Sequence, residues 1–365
     1  MVVQPYRALR RSLLLLSLLA AAPAQAADRP TEVILAIGDP ALSIAVSPYA
    51  SLQQAVGLDK RFAGVKVKVQ ATAGATASAQ AIANGNAFYT WGGTPSLVAA
   101  AAQDRRLAII AIDAYNPWRV VVLPDSPIKT VADLKGKIIG TPSLGTAAYL
   151  YGLAVLKGAG LDPQKDVTIL PVGVGAQAAD ALKTGKVQAY AGYDNPNAVI
   201  GNLLGTDLRV LNSPLDTMKG GAVVLVARES IEKYPDIVGG LCRAFYASLV
   251  FAKANPEATI RTHWQAYPEQ RPSNKTDAEA LAEAKRVLKP RIEGGTLRGA
   301  EGLFGNQTIS EIQEVVAEYA RTGLLQSEPN LADLVDPRFK QECGGFDADA
   351  IAAEARAWNG PAAAK

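Results

Sequence analysis

Histidine and cysteine are scarce in this chain, which has one histidine and two cysteines among 365 residues. One imidazole and two thiols cannot by themselves supply the four ligands of a zinc site. The cysteines, Cys242 and Cys343, lie far apart in the sequence, and two interpretations stay open. Either they form a disulfide, as an exported protein allows, or Cys242 is a buried thiol on an apolar helix and Cys343 is a loop thiol.

Motifs of the common enzyme classes are missing as well. The sequence has no G-x-S-x-G nucleophile elbow, no G-x-G-x-x-G and no G-K-[ST] phosphate loop, and "GVGAQAAD" from Gly173 lacks the third glycine. A serine triad would have to use His263, which follows a predicted helix and is expected at the surface. We therefore expect a protein that is not an enzyme and holds no cofactor and no metal.

Beyond the N terminus, the chain lacks an unbroken apolar stretch of the roughly 18 residues that a membrane helix needs. The N terminus has the three parts of a secretory signal peptide. Three arginines lie within residues 7–11, an apolar run of about ten residues covers 13–22, and the small-residue cleavage site Ala-Gln-Ala covers 24–26. We predict that residues 1–26 are removed and that the mature protein is periplasmic and soluble.

A large excess of charge is absent too. The formal net charge is +3, and the predicted signal peptide carries three arginines and no acidic residue, so the mature chain is formally neutral. The sequence contains no block of lysine or arginine. The charge pattern therefore gives no reason to expect a nucleic-acid partner.

Predicted strands and helices alternate along most of the chain. Strand patterns such as "VILAI" (33–37) and "VKVKVQATAG" (65–74) are followed by helical patterns such as "TPSLVAAAAQ" (94–103). Alternation at this spacing predicts an α/β fold with mainly parallel sheets. From about Ser230 the pattern is helical.

The alternation starts afresh near Thr130, which indicates two lobes with a cleft between them. We expect lobe 1 to comprise residues 27–122 and 214–365, including the C-terminal helices, and lobe 2 to comprise residues 123–213. The crossovers are "VVVLPDSP" and "LNSPLDTMKGGAVVLVA", and the second returns the chain to lobe 1.

Three segments carry a resemblance to a known family: "TVADLKGKIIGTPSLGTAAYLYGLAVLKGAGLDPQKDVTILPV" (130–172), "ADALKTGKVQAYAGYDNP" (179–196) and "RESIEKYPDIVGGLCRAFYASLVFAKANPE" (228–257). Over about residues 33–268 the chain resembles the periplasmic substrate-binding proteins of ABC importers, in the nitrate/sulfonate/taurine and thiamine-precursor (NMT1/THI5-like) group. The resemblance implies a type II-like periplasmic binding protein fold. Two Rossmann-like α/β lobes close on a ligand like a hinged trap, here with a helical C-terminal extension that lies largely outside the resemblance.

The resemblance also places ligand-binding residues in loops at the strand ends that face the cleft. Five loops match, at residues 38–43, 90–96, 114–118, 142–147 and 192–196. The candidate ligand-binding residues in these loops are Asp39, Ser43, Thr94, Tyr115, Trp118, Ser143, Gly145, Thr146, Ala147, Tyr193 and Asp194.

Elementary chemistry supports several of these positions. Ligands of open α/β sheets bind beyond the carboxyl ends of the strands. A helix that opens at Gly145, Thr146 and Ala147 offers backbone N–H groups to a carboxylate or sulfonate, and the hydroxyls of Ser143 and Thr146 can add hydrogen bonds. The alternative is plain capping, in which these hydroxyls satisfy only the helix. The same two interpretations apply to Thr94.

The remaining candidates differ in chemistry. Asp194 either holds an amine or another donor of the ligand or forms an Asx turn with the residues that follow. The aromatic rings of Trp91, Tyr115 and Trp118 either stack on a flat ligand or belong to the core. Arg119 either pairs with an anion or forms a structural pair with an acidic residue.

Together these features predict a monomeric periplasmic receptor that captures a small organic anion or zwitterion, such as a sulfonate, a carboxylate, nitrate or an aromatic precursor. The resemblance implies that the closed receptor delivers this small molecule to a membrane permease with an ATPase subunit. The alternatives are a TAXI-type receptor of a sodium-driven TRAP importer, a sensory binding protein, and an enzyme of the thiamine-precursor type.

Overall fold

Two five-stranded sheets organise the computed structural model of this protein, which describes residues 1, 29–39, 41–323 and 325–360. From Thr31 onward these residues form one structural unit. The predicted signal peptide, residues 1–26, lies outside the described residues except for its first methionine.

The first sheet has the strand order β2-β1-β3-β10-β4, and the second has the order β7-β6-β8-β5-β9. Their bounds are β1 Glu32–Ile37, β2 Lys66–Ala71, β3 Tyr89–Gly93, β4 Leu107–Ile112, β5 Trp118–Val122, β6 Ile138–Thr141, β7 Thr168–Pro171, β8 Ala189–Tyr193, β9 Arg209–Val210 and β10 Ala222–Ala227. We call the first sheet with the helices around it the first lobe, and the second sheet with its helices the second lobe.

The strands β1, β2 and β3 are parallel, as are β6, β7 and β8. In each sheet, however, one strand runs the other way between two neighbours: β10 lies between β3 and β4, and β5 lies between β8 and β9. Each sheet is therefore mixed, with four strands in one direction and one against them, which agrees with the mainly parallel sheets that the sequence predicted. The reversed strands, β5 and β10, each follow a crossover between the lobes. A crossover enters its lobe at the cleft, so the strand after it runs away from the cleft, whereas the other strands run towards it.

The predicted lobe boundary after residue 122 differs from the observed strand pairing. Trp118 in β5 pairs with Tyr193 in β8, so residues 118–122 belong to the second sheet. The first crossover thus precedes β5. The apolar sequence of β5 does not indicate which sheet the strand joins, because strands of this kind are buried in both sheets. The second crossover returns the chain through β10 to the first sheet, as expected.

Helices cover both sheets and make up the C-terminal part. Their bounds are α1 Gln53–Ala55, α2 Leu58–Ala63, α3 Ala75–Ala83, α4 Thr94–Gln103, α5 Ala147–Gly158, α6 Ala176–Lys183, α7 Asp194–Leu204, α8 Arg228–Lys233, α9 Pro235–Ala254, α10 Pro256–Ala266, α11 Asp277–Gly295, α12 Ile309–Arg321, α13 Lys340–Gly344 and α14 Ala348–Ala357. A single π-helical turn, Pro48–Leu52, precedes α1.

The helix α9 is the centre of the first lobe. It is the one described helix long and apolar enough to cross a membrane, yet 78% of its apolar window is buried within the protein. An all-round apolar helix is typical of a core element, and α9 packs against α2, α13 and α14. Cys242 on α9 is bonded to Cys343 on α13, with both sulfurs buried. The disulfide interpretation is therefore confirmed, and Cys343 is not a loop thiol.

The C-terminal helices contact the second lobe as well as the first. Helix α11 packs on α7, where the Asn195 side chain donates a hydrogen bond of 2.6 Å to the carbonyl of Val287. Near the end of α12, the carbonyl of Thr322 accepts a hydrogen bond from Lys157 on α5. The extension that the sequence assigned to the first lobe thus bridges both lobes.

Candidate functional site

A cavity of about 40 Å³ lies between the two sheets. The first lobe contributes the carboxyl ends of β1 and β3, and the second contributes the start of α5 and the end of β8. The lining residues are Ile37, Gly38, Asp39, Val46, Tyr49, Ala75, Trp91, Gly92, Gly93, Trp118, Thr146, Ala147, Tyr193 and Arg291. The position matches the general rule that open α/β sheets bind ligands beyond the carboxyl ends of their strands.

The two lobes touch each other around this cavity. The Tyr193 hydroxyl of the second lobe donates a hydrogen bond of 2.7 Å to Asp39 Oδ2 of the first. At the outer edge the backbones approach so closely that a Cβ placed on Gly74 would lie 2.5 Å from the carbonyl oxygen of Gly145. The structure therefore shows the cleft in a closed conformation.

Arg291, on α11, is the cationic group of the cavity. Its side chain is only 4% exposed. The Nε and Nη2 atoms donate to Asn195 Oδ1 over 3.2 and 2.7 Å, and Nη2 lies 3.6 Å from Asp194 Oδ1. Among the described residues Nη1 has no hydrogen-bond partner. Burial opposes the charge, but Tyr49, the Asp194 carboxylate and two further tyrosines around the guanidinium outweigh that and hold the pKa of Arg291 above its ordinary value.

Aromatic rings form the wall behind this arginine. The guanidinium lies over the ring of Trp91 at 4.3 Å from its centroid, a cation–π contact. The Trp91 indole N–H donates a 2.7 Å hydrogen bond to Asp113, which also accepts a 2.5 Å bond from Tyr246. Burial raises the pKa of Asp113 to about 6. These bonds fix the orientation of the indole on which Arg291 rests.

Tyr49 places a hydroxyl group at the cavity, within the electrostatic influence of Arg291. It lies in the π-helical turn, stacks on Phe245 at 4.9 Å between ring centroids, and is fully buried. Its hydroxyl has no hydrogen-bond partner among the described residues. Burial raises the pKa of Tyr49 to about 12, so the hydroxyl is a neutral donor at physiological pH.

Asp39 is the anionic group of the cavity. Its Oδ1 accepts a hydrogen bond of 3.1 Å from the backbone N–H of Ala41, and Oδ2 accepts the one from Tyr193. Burial raises the pKa of Asp39, although its two hydrogen bonds and Arg291 oppose the shift. The carboxylate has more acceptor positions than these two bonds occupy.

Three helix N-termini border the same space. Ala75 is the first residue of α3, Gly93 precedes α4, and Ala147 is the first residue of α5. The first backbone N–H groups of a helix have no partner within the helix, and the helix dipole adds partial positive charge there. The cavity is therefore suited to a negatively charged group.

Comparisons with known proteins place the chain in a family. The profile of the family described as "NMT1/THI5 like" matches residues 61–259, more than half of the chain. The chain belongs to this family. Over 169 residues it is 31% identical to the "Putative aliphatic sulfonates-binding protein" of Escherichia coli (strain K12), a match that covers 46% of this chain and 50% of that protein. The matched part thus spans about half the length of this relative.

Solved structures show the same fold. The alkanesulfonate-binding protein SsuA from Xanthomonas axonopodis pv. citri, bound to MOPS, is 21% identical and superimposes with a TM-score of 0.63, covering 85% of this chain and 100% of that one. The periplasmic aliphatic sulphonate binding protein SsuA from Escherichia coli is 20% identical with the same TM-score, over 85% and 93% of the two chains. The two-lobed α/β fold of periplasmic binding proteins, predicted from the sequence, is confirmed.

The structure brings five of the predicted site residues to the cavity: Asp39, Trp118, Thr146, Ala147 and Tyr193. Capping nevertheless accounts for the Thr146 hydroxyl, which accepts from the backbone N–H of Tyr149 at 3.3 Å and donates to the carbonyl of Ser143 at 2.8 Å. Its backbone N–H also donates to the Ser143 carbonyl, over 3.4 Å, so the polar groups of Thr146 already serve the start of α5.

Six predicted residues lie outside the cavity lining: Ser43, Thr94, Tyr115, Ser143, Gly145 and Asp194. The hydroxyl of Thr94 is buried and donates to the carbonyl of Gly220, which makes it part of the crossover. The hydroxyl of Ser143 donates across the cleft edge to the carbonyl of Ala73 at 3.4 Å. Ser43 precedes a short helical turn without capping it.

Asp194 is already occupied by neighbours within the protein. One carboxylate oxygen accepts a 2.7 Å hydrogen bond from the Tyr115 hydroxyl, and the other accepts from the Asn195 N–H and faces Arg291. It therefore supports the arginine and does not line the cavity. Arg119 forms no ion pair with an acidic residue in the part of the chain that the structure describes, and its Nη1 donates to the carbonyls of Asn116 and Trp118.

Sequence reasoning missed Arg291 and Tyr49 and left Trp91 open. It also placed His263 at the surface, whereas the ring is fully buried. Its Nε2 lies 2.9 Å from the carbonyl of Leu42 and its Nδ1 lies 3.1 Å from the Ser51 hydroxyl. Nε2 therefore carries the proton and Nδ1 accepts from the serine, so the pair is a satisfied core contact away from the cavity lining.

Proposed function

We propose that this protein is a periplasmic receptor that closes on a small organic anion or zwitterion and presents it to the permease of an ABC importer. The observation that carries the proposal is the buried guanidinium of Arg291, which lines the interlobe cavity with its Nη1 unsatisfied among the described residues. The function follows from what such a group needs.

A buried charge is unfavourable unless it is paired and hydrogen-bonded. The Asn195 oxygen that Arg291 contacts is neutral, and the nearest carboxylate oxygen, on Asp194, lies 3.6 Å away and also receives other donors. A ligand oxyanion beside Nη1 and the Tyr49 hydroxyl would complete the pairing. Charge-assisted hydrogen bonds of this kind are about twice as strong as neutral ones.

The size of the cavity limits the bound group. A volume of about 40 Å³ holds a few water molecules or a compact head group in the closed form. A sulfonate or carboxylate on a short chain meets this limit, and the starts of α3, α4 and α5 add favourable dipoles for it.

The comparisons support a receptor over an enzyme. All three relatives named above are sulfonate-binding proteins by name, and the solved structure from Escherichia coli is also periplasmic by name. The signal-peptide pattern of residues 1–26 supports export to the same compartment. The family resemblance supports an ABC permease as partner, and a permease gene with an ATPase gene beside that of this chain would distinguish it from a TRAP receptor or a sensory protein.

The proposal is tested by calorimetric titration of the mature protein with 1-propanesulfonate, taurine, butyrate and β-alanine. We expect at least one of these probes to bind, and Arg291→Met to weaken that binding at least about 100-fold, since it removes the charge and both forks of the guanidinium. Methionine fills a similar volume, so the variant should remain folded.

Lys289→Met is the matched control, because it removes one positive charge from the same helix at an exposed position paired with Glu293. It should bind the probes as the native protein does. Equal binding by the native protein and a folded Arg291→Met variant would contradict the proposed site.

A further inference from the structure

We propose that the ligand is a zwitterion whose acid group binds at Arg291 and whose cationic group binds at Asp39. This inference rests on the proposed function and names the class of ligand that the same cavity selects. It follows from the placement of one positive and one negative side chain around a single small space.

Asp39 and Arg291 are the two charged side chains among the described residues that line the cavity. Asp39 makes no ion pair with a described lysine or arginine, so its negative charge meets no direct counter-charge within the protein. A simple anion would bring a second negative charge into a space of about 40 Å³ beside this carboxylate. Like charges at such separations disfavour one another strongly away from water. A zwitterion leaves both protein charges compensated.

The two charged groups lie against different parts of the cavity wall. Arg291 rests on Trp91 and near Tyr49, both in the first lobe. Asp39 is hydrogen-bonded to Tyr193, whose ring packs edge-on against Trp118 with 5.5 Å between centroids. An ammonium or other cationic group beside Asp39 would therefore also meet aromatic rings, which attract cations through their faces.

The occupancy of Asp39 leaves room for such a group. Its two oxygens accept one hydrogen bond each, from Ala41 and from Tyr193, and an ionised carboxylate offers about four acceptor positions. Burial raises the pKa of Asp39 even though Arg291 and both hydrogen bonds oppose the shift, and a cationic ligand group beside the carboxylate would oppose it further. Asp194, by contrast, is filled by Tyr115, Asn195 and Arg291.

The experiment compares two pairs of probes that differ only in the cationic group. Taurine and 1-propanesulfonate carry the same sulfonate on chains of equal length, and β-alanine and butyrate are the matching carboxylates. Calorimetric titration of the native mature protein should show at least one zwitterion binding 10-fold or more tighter than the simple anion that matches it. This comparison needs no variant.

Asp39→Asn then tests the residue. We expect the preferred zwitterion to lose at least 10-fold in affinity, and the matching simple anion to keep its affinity or gain. Glu32→Gln is the control, because it removes a carboxylate from β1, the strand that precedes Asp39, at an exposed site that is paired with Lys68 and lies outside the cavity. It should change neither affinity.

Other outcomes overturn the inference in distinguishable ways. If simple anions bind as tightly as the zwitterions, the zwitterion inference is wrong, while the proposed function as a receptor for small anions is retained. An equal loss for all bound probes in Asp39→Asn would show that Asp39 acts only through its contact with Tyr193. No binding of any of the four probes to the folded native protein would overturn both this inference and the proposed function for compact acids.

Discussion

The hydroxyl of Tyr193 donates a hydrogen bond to the carboxylate of Asp39 across the interlobe cavity, over 2.7 Å. Tyr193 ends a strand of the second sheet, and Asp39 follows a strand of the first. The bond therefore exists only when the cleft is closed. Closure therefore depends on the charge of Asp39, because an ionised carboxylate accepts a stronger hydrogen bond than a protonated one.

Tyr193→Phe removes this bond and leaves the ring. A hydrogen bond to a carboxylate contributes about 1.5–3 kcal/mol, so we expect ligand binding to weaken by about 10- to 150-fold. Calorimetric titration with the tightest-binding probe measures the loss. Tyr190→Phe is the control, because its hydroxyl bonds to the carbonyl of Gly173 within the second lobe. If both variants bind equally, the Tyr193 contact has no part in closure.

Closure also requires two backbones to meet at Gly74 and Gly145. Gly74 has φ +150°, and a Cβ on it would lie 2.5 Å from the Gly145 carbonyl oxygen. We expect Gly74→Ala to hold the lobes apart and to weaken ligand binding by about 1–3 kcal/mol, the usual cost of overpacking. Small-angle scattering with a saturating probe should show the variant more extended than the native protein.

Gly85→Ala is the control that distinguishes the steric clash at Gly74 from the backbone strain of placing alanine at a positive φ. Gly85 also has a positive φ, +73°, but nothing lies within 4 Å of its built Cβ. It should lower the melting temperature while leaving affinity unchanged. A Gly74→Ala variant that binds and compacts like the native protein would show that the lobes close in a different register.

The disulfide between Cys242 and Cys343 closes a loop with a sequence separation of 101 residues. In the chain-entropy model a loop of this size stabilises the folded state by about 4–5 kcal/mol. We expect the Cys242→Ala/Cys343→Ala variant to lose free energy of unfolding of that order in urea denaturation. The variant should also be insensitive to reductant. Native protein unfolded in reductant should approach the stability of the variant, and a difference below about 1 kcal/mol would contradict a formed bond.

The sequence predicted the fold class because its signals are local. Alternating strand and helix patterns, glycine stops and capping residues each act within a few residues, and they indicated two α/β units and the crossover through β10. The pairing of β5 depends on distant partners, so the same local pattern placed it in the wrong lobe. Asp39 and Ala147 were chosen from loops that the family resemblance matched, in agreement with the rule about strand ends, and both lie at the cavity.

Arg291 escaped prediction for the opposite reason. It lies on α11, beyond the resembling region, in a helix whose charged residues otherwise face solvent. Only the packing of α11 on α7 brings its guanidinium to Asn195 and the cavity. Asp194 was favoured because a carboxylate at a strand end is a visible ligand candidate, while the hydrogen bonds that occupy it come from residues distant in the sequence.

Among the buried titratable groups, His263 and Asp113 should respond to acid with opposite effects on stability. Burial lowers the pKa of His263 from 6.5 to about 4, so the unfolded chain binds this proton more readily than the folded one. The contribution of His263 to stability is therefore lost as the pH falls from about 6.5 to 4, by roughly 3 kcal/mol. Burial raises the pKa of Asp113 from 3.8 to about 6, so its folded form binds the proton more readily and gains stability over nearly the same window.

The two effects should nearly cancel in the native protein, and single substitutions should reveal them. We expect His263→Gln to be less stable at pH 7, because it loses packing and the Ser51 contact, but to gain about 3 kcal/mol relative to the native protein between pH 7 and 4. Asp113→Asn should lose a similar amount over the same interval. Urea denaturation at closely spaced pH values measures both. Parallel profiles for the native protein and His263→Gln would mean that the imidazole is accessible to protons in the folded state, and hence that the hydrogen bond from its Nε2 to the Leu42 carbonyl does not hold the ring neutral.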